Sequence, residues 1–150
     1  MKKEIVKWED FSKKSPPPHY LDSKSDIVIE YDDKNVEMIG KCIFPSSDPT
    51  LESRGHVNHF HIIMLIDVVS ALNVLWNGAR IVKEKLGWED MLSITTESKI
   101  TQKLKLDILY VFEAKVKKVK MGLWQASLII KDQEKVVAEV ITLAKVKGKN

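Results

Sequence analysis

The chain has 150 residues, 44% of them apolar and 30% charged, with 6 Gly and 5 Pro; this suits one globular domain and excludes a disordered or fibrous chain. Its 24 basic and 21 acidic residues leave a net charge of +3, too small to argue for a nucleic-acid partner. Cys42 has no second cysteine to pair with and the first residues lack the apolar run of a secretory signal, so the expected compartment is the cytoplasm.

Residues 1–25 read as a peripheral arm on a single domain spanning 1–150. Ile5, Trp8 and Phe11 recur at spacings of three, which predicts a short amphipathic helix over residues 1–14, ended by Ser15-Pro16-Pro17-Pro18. Ile27, Ile29 and Tyr31 then alternate. After a turn at Asp32-Asp33-Lys34-Asn35, the alternation resumes through Val36, Met38, Cys42 and Phe44, which predicts a first hairpin. Residues 45–58 carry prolines, serines, Asp48 and Gly55 and read as a loop feeding a helix.

That helix is predicted over residues 59–85. At about 100° per residue, Ser70, Asn73, Asn77, Arg80 and Glu84 form one narrow polar stripe, with Asp67 at its edge. The most apolar span, Phe60–Trp76, is interrupted by Asp67, Ser70 and Asn73 and falls short of the ~20 apolar residues of a membrane-spanning helix, so no membrane insertion is expected. A helix apolar over most of its circumference has to be surrounded. Strands for that purpose follow: a weaker one at 92–101, then alternation through Leu104, Leu106, Ile108, Tyr110, Phe112, Ala114 and Val116, and again through Trp124, Ala126, Leu128 and Ile130 after a break near Gly122. Val136, Ala138, Val140 and Ala144 come last. The short polar segment Asp132-Gln133-Glu134-Lys135 predicts that the last two runs pair as an antiparallel hairpin.

The order contains no βαβ repeat, so the sheet should be antiparallel. The expected architecture is α+β, a hotdog fold in which a long central helix is wrapped by an antiparallel sheet of five to six strands. Two such units joined edge to edge would cover an open sheet edge, which predicts a homodimer or a higher oligomer. Lys99, Lys103, Lys105, Lys115, Lys117, Lys118 and Lys120 face only Asp107 and Glu113 in sequence, giving the second half a basic strip suited to phosphates or an acidic carrier protein, or to plain solvation.

The junction Glu52-Ser53-Arg54-Gly55-His56-Val57-Asn58 resembles the acidic-x-x-Gly-His-Val-Asn signature of hotdog thioesterases that act on acyl-CoA and acyl-carrier-protein substrates. Residues 20–90 look similar to the FcoT-like long-chain fatty-acyl-CoA thioesterases: Tyr20-Leu21, Phe44-Pro45, Gly55-His56-x-Asn58, and Lys83-Glu84-Lys85-Leu86-Gly87. The chain departs from its relatives at His59-Phe60-His61-Ile62, where many carry an Asn and then a Tyr, and at Leu104-Lys105-Leu106-Asp107, where a Pro-Gly-Asp turn is common. The resemblance implies a fatty-acyl thioester substrate, with coenzyme A or phosphopantetheine as part of that substrate and no separate cofactor. Some FcoT-like members are implicated in adding glycine to an unsaturated acyl-carrier substrate. A dehydratase or glycine-adding enzyme is therefore one alternative, although the dehydratase Gly-His-Phe-Pro-Gly motif and helical Glu are missing. A hotdog protein that binds acyl-CoA without turnover is the other.

Thioester hydrolysis needs a water or nucleophile, a proton acceptor and oxyanion donors. Asp67 is the first catalytic candidate, because burial on an apolar helix would raise its pKa, and its position resembles that of the helical acid in one branch of hotdog thioesterases. Glu52, at the acidic position of the signature, is the second. His56 and Asn58 would position the carbonyl or a water, with loop packing and helix capping as their structural roles. First-turn amides near His59–Ile62 would cradle the oxyanion. Gly55, His59, Phe60, His61 and Ser70 complete the expected substrate contacts. The spacings among His56, His59 and His61 match no standard zinc motif, so no metal is expected.

Overall fold

A computed structural model describes residues 2–7, 20–22, 24–32, 35–52, 55–66, 69, 91–120 and 122–146. Period-two alternation gives the chain most of its shape. The strands are β1 (Lys2–Val6), β2 (Ile27–Tyr31), β3 (Asn35–Ile43), β4 (Met91–Ile100), β5 (Leu109–Lys120), β6 (Leu123–Asp132) and β7 (Lys135–Val146). They form one seven-stranded sheet in the order β1-β2-β3-β5-β6-β7-β4. All its pairings are antiparallel.

The register lines up the buried side chains in rows. One row runs Ile29, Met38, Ala114, Leu128, Val140 and ends on Ser98 of the edge strand β4. The next sets Gly40 against Phe112, whose ring lies where a Gly40 side chain would be. Small and large residues thus alternate across the sheet and interdigitate.

On the buried face lies α2, described over residues 59–66 with Val69 also helical. Its residues Ile62, Leu65, Ile66 and Val69 share one core with Met38, Phe44, Phe112 and Leu128. Together with His61 they repeat with helical period, so one side of α2 is sealed by the sheet, while Ile63 and Met64 stay half-buried. The remainder of the predicted helix over 59–85, with its polar stripe, lies outside the described residues. Among the described residues, no helix is long and apolar enough to cross a membrane.

Four expectations change. The sheet has seven strands among the described residues rather than five to six. Residues 2–6, expected in an amphipathic helix, form β1, because pairing with β2 satisfies backbone groups along its whole length whereas an isolated short helix is marginal in water. The loop at 45–58 contains one helical turn, α1 (Pro49–Glu52). Alternation through Leu104, Leu106 and Ile108 is not strand. β5 begins at Leu109, and Asp107 sits at φ +58 with its carboxylate accepting the Ser46 amide at 2.9 Å. Leu104 is nevertheless buried, so its apolar character reflects core packing from a loop.

The basic strip is partly neutralised. Lys115 pairs with Glu37 at 3.0 Å, whereas Glu113, an acid expected to oppose the strip, pairs at 2.7 Å with Lys131, which lies outside it. Lys99, Lys103, Lys105, Lys117 and Lys120 are exposed.

Candidate active site

The junction between α1 and α2 is built by two caps. Asp48 precedes Pro49, and its carboxylate Oδ1 accepts the Thr50 amide at 2.9 Å and the Thr50 hydroxyl at 2.6 Å. Pro at the first helical position after an Asp is a strong start signal. Gly55 follows α1 at φ +67 and returns its N–H to the Leu51 carbonyl at 2.7 Å, an αL closure that suits glycine.

Asn58 caps α2. Its Oδ1 accepts the amides of Phe60 at 3.0 Å and His61 at 3.4 Å, and the Asn58 amide donates to His61 Nδ1 at 3.1 Å. This is a capping box with imidazole in the place that Glu or Gln usually fills. Because Nδ1 accepts, the neutral ring carries its proton on Nε2, which faces Thr50 Oγ1 at 3.4 Å. The Thr50 hydroxyl passes on to Asp48, whose Oδ2 also accepts the Tyr20 hydroxyl at 2.9 Å. A single chain of hydrogen bonds thus runs from the Asn58 amide through His61, Thr50 and Asp48 to Tyr20. His61 is fully buried, in edge-to-face contact with Tyr20 and Phe60 at centroid distances of 6.0 and 5.6 Å.

The electrostatics follow from these contacts. The Thr50 hydroxyl holds the Asp48 carboxyl below its usual value. Burial, reinforced by the Asp48 carboxylate, pushes the Tyr20 phenol up to about 12. Cys42, the one thiol, is fully buried and pushed up to about 12 by desolvation, so it offers no thiolate nucleophile.

Of the expected site residues, the structure brings Asn58, His59, Phe60 and His61 together in the first turn of α2. His56 is exposed on the bend before it, and Glu52 is exposed at the end of α1. Asp67 and Ser70 lie outside the described residues. The amides of Phe60 and His61, expected as oxyanion donors, are engaged by Asn58, so that expectation is narrowed. Both ring nitrogens of His61 are likewise engaged, and among the described residues no group of three or more His, Cys, Asp or Glu is arranged to hold a metal.

Three residues here were not singled out from sequence. Asp48 and Thr50 sit in a stretch read only as loop, although the Asp48-Pro49 pair carried the start signal. Ser98, on β4, has its hydroxyl 2.6 Å from His59 Nδ1, which ties the start of α2 to the edge of the sheet.

No family model matches the chain, and no curated protein does. Solved structures do. A hypothetical thioesterase protein with coenzyme A from Streptococcus pneumoniae is 19% identical, with 81% of this chain and 86% of that one covered at a TM-score of 0.57. A Streptococcus mutans protein bound to acetyl-CoA is 14% identical, with 84% and 90% covered at 0.55. Zebrafish thioesterase superfamily member 2 is 15% identical, with 84% and 83% covered at 0.56. At these identities the likeness establishes the fold: the chain has the hotdog fold of solved thioesterase-superfamily proteins.

Proposed function

We propose that this protein is an acyl thioesterase that hydrolyses fatty-acyl thioesters of coenzyme A or of an acyl-carrier protein. The observation that carries this reading is the match, over more than four-fifths of the chain, to solved structures named as thioesterases, one with coenzyme A, and to one bound to acetyl-CoA. Coenzyme A or phosphopantetheine enters as part of the substrate, and no separate cofactor takes part.

The working unit in this proposal is a homodimer joined along β4. Among the described residues that strand pairs only with β7 and so presents one open edge, next to the exposed Leu92 and Ile94. Asp67 is the proposed base and Glu52 the alternative carboxylate. His56 positions the carbonyl. Asn58 and His61 act by holding the junction in place through their caps, and Gly55, His59, Phe60 and Ser70 contact the substrate. Phe60 supports this assignment, since a large apolar side chain left 56% exposed at a helix start suits an acyl chain.

Free-thiol release from acyl-CoAs of increasing chain length tests the reading. Asp67→Asn is expected to lower turnover while leaving assembly intact, and unchanged turnover in that variant would remove Asp67 from the mechanism.

A further inference from the structure

The sheet face turned away from α2 changes its charge character from one end to the other. Lys117, Gln125 and Lys145 follow or precede the buried Val116, Ala126 and Ala144, so strand alternation turns all three away from the helix. At the end where β4 begins, this face carries two cross-strand rows. One runs Asn35, Lys117, Gln125, Leu143 and Thr95, and the other Lys120, Leu123, Lys145 and Leu92, so the two rows hold three lysines and no acid. The rows beyond them mix signs: Lys115 is paired with Glu37 at 3.0 Å, and Lys99 stands opposite Glu139. Asp32, at the corner next to Asn35, accepts the Asn35 amide on its carboxylate at 2.8 Å.

We propose that this acid-free end of the outer face docks the acidic carrier protein that bears the acyl thioester, which makes the carrier thioester a better substrate than acyl-CoA. The inference rests on the thioesterase reading and on the β4 dimer, and it ranks the two thioester forms that the reading admits.

The surface has the make-up of a protein interface rather than of a clamp for one phosphate. Strands lie about 4.8 Å apart, which sets the backbones of Lys120 on β5 and Lys145 on β7 about 10 Å from each other. The exposed Val119 and Ile141 and the half-buried Leu123 lie among the lysines. A notch of about 370 Å³, lined in part by Lys117, Gln125, Ser127 and Ile141, has room for a partner side chain. Leu92 adjoins the dimer edge and is not part of this surface. The position also suits delivery. In an antiparallel β4–β4 junction, the start of β4 in one subunit adjoins its finish in the other. β4 starts at the basic end, with Leu92 opposite Lys145, and further along its Ser98 meets His59 at the start of α2, at 2.6 Å. The basic end of each subunit therefore flanks the candidate site of its mate, and a carrier held there extends its phosphopantetheine arm toward that site.

The test follows thiol release by the full chain from decanoyl-acyl-carrier protein and from decanoyl-CoA. The parent should show a kcat/KM about tenfold higher for the carrier thioester, an advantage that shrinks as salt is raised. The triple variant Lys117→Glu, Lys120→Glu, Lys145→Glu should lose about tenfold or more on the carrier thioester, through KM, and stay within about twofold on the CoA thioester. Thermal unfolding reports that the variant is folded. Reversing the exposed Lys41, Lys103 and Lys135 makes the same change in net charge at the opposite end of the sheet and should leave the preference for the carrier thioester in place. Carrier turnover unchanged in the first triple variant, an equal loss in the second, or an equal loss on the CoA thioester would overturn the docking surface and leave the thioesterase reading standing. So would binding of the parent to phosphatidylglycerol vesicles, through these lysines, with none to the carrier protein. No thiol release by the parent from either thioester would overturn both.

Discussion

Asn58 and His61 cap each other: the Asn58 side chain takes the His61 amide at 3.4 Å, and the His61 ring takes the Asn58 amide at 3.1 Å. Both are therefore structural partners before either meets a substrate. Asn58→Ala should lower stability by about 1 kcal/mol, the usual cost of a lost N-cap, while Asn58→Asp should retain most of it. Thermal unfolding of the two variants checks this. Equal losses in both would contradict the capping role.

Two linked groups make stability depend on pH at the two ends of the range: Asp48, held down mainly by the Thr50 hydroxyl, and Tyr20, pushed up mainly by burial and then by Asp48. Asp48 has a folded pKa below its unfolded value of 3.8, so its contribution is present above that value and is lost as pH falls through the depressed one. Tyr20 is raised from 10.0 to about 12, so its contribution is present below pH 10 and is lost as pH rises through the folded value. Tyr20→Phe should flatten the alkaline limb of a stability–pH curve, and Asp48→Asn the acid limb. A limb left unchanged by its own variant would show that another group governs it.

Much of this fold was legible in the sequence. Alternation marked β2, β3, β6 and β7, and the polar tetrapeptide Asp132–Lys135 marked the last hairpin, where Gln133 takes φ +54. Where the reading failed, two patterns shared one signal. Ile5 fits a helical spacing of three, yet residues 2–6 found an open sheet edge to pair with. Leu104 and Leu106 continue the period of β5, but they pack from a loop tied down by the Tyr110 hydroxyl, which accepts the Lys105 amide at 2.8 Å. At the site, the α1–α2 junction was legible because a Gly-His-x-Asn stretch before an apolar run has few alternatives. Ser98 was not. Nothing in a strand sequence marks one serine, and its pairing with His59 depends on how α2 sits over β4.

A Cβ added at Gly40 would lie 2.6 Å from Phe112 Cζ, inside a core where that ring is fully buried. Gly40→Ala should therefore cost about 1–3 kcal/mol through overpacking. Adding Phe112→Leu should recover part of that loss. Chemical denaturation of the single and double variants gives the coupling, and strict additivity would contradict the contact.

The edge strand offers a test of assembly. Ile94 is skipped in the β4–β7 register between Ser93 and Thr95 and is 49% exposed, so it can be changed without disturbing the core. Ile94→Lys should weaken self-association about tenfold, equivalent to ~1.4 kcal/mol, because lysine on an open edge opposes strand pairing. Sedimentation over a concentration series reads this directly. An unchanged dimer would move the interface elsewhere.

Thioester hydrolysis itself is tested most directly by following the products of the parent protein with a panel of acyl-CoAs, free thiol by colour and free acid by mass. The account predicts that thiol and carboxylic acid appear in equal amounts, with a rate that peaks at one chain length. Thermal stabilisation by acyl-CoA with neither product formed would contradict it and identify a protein that binds the thioester without cleaving it.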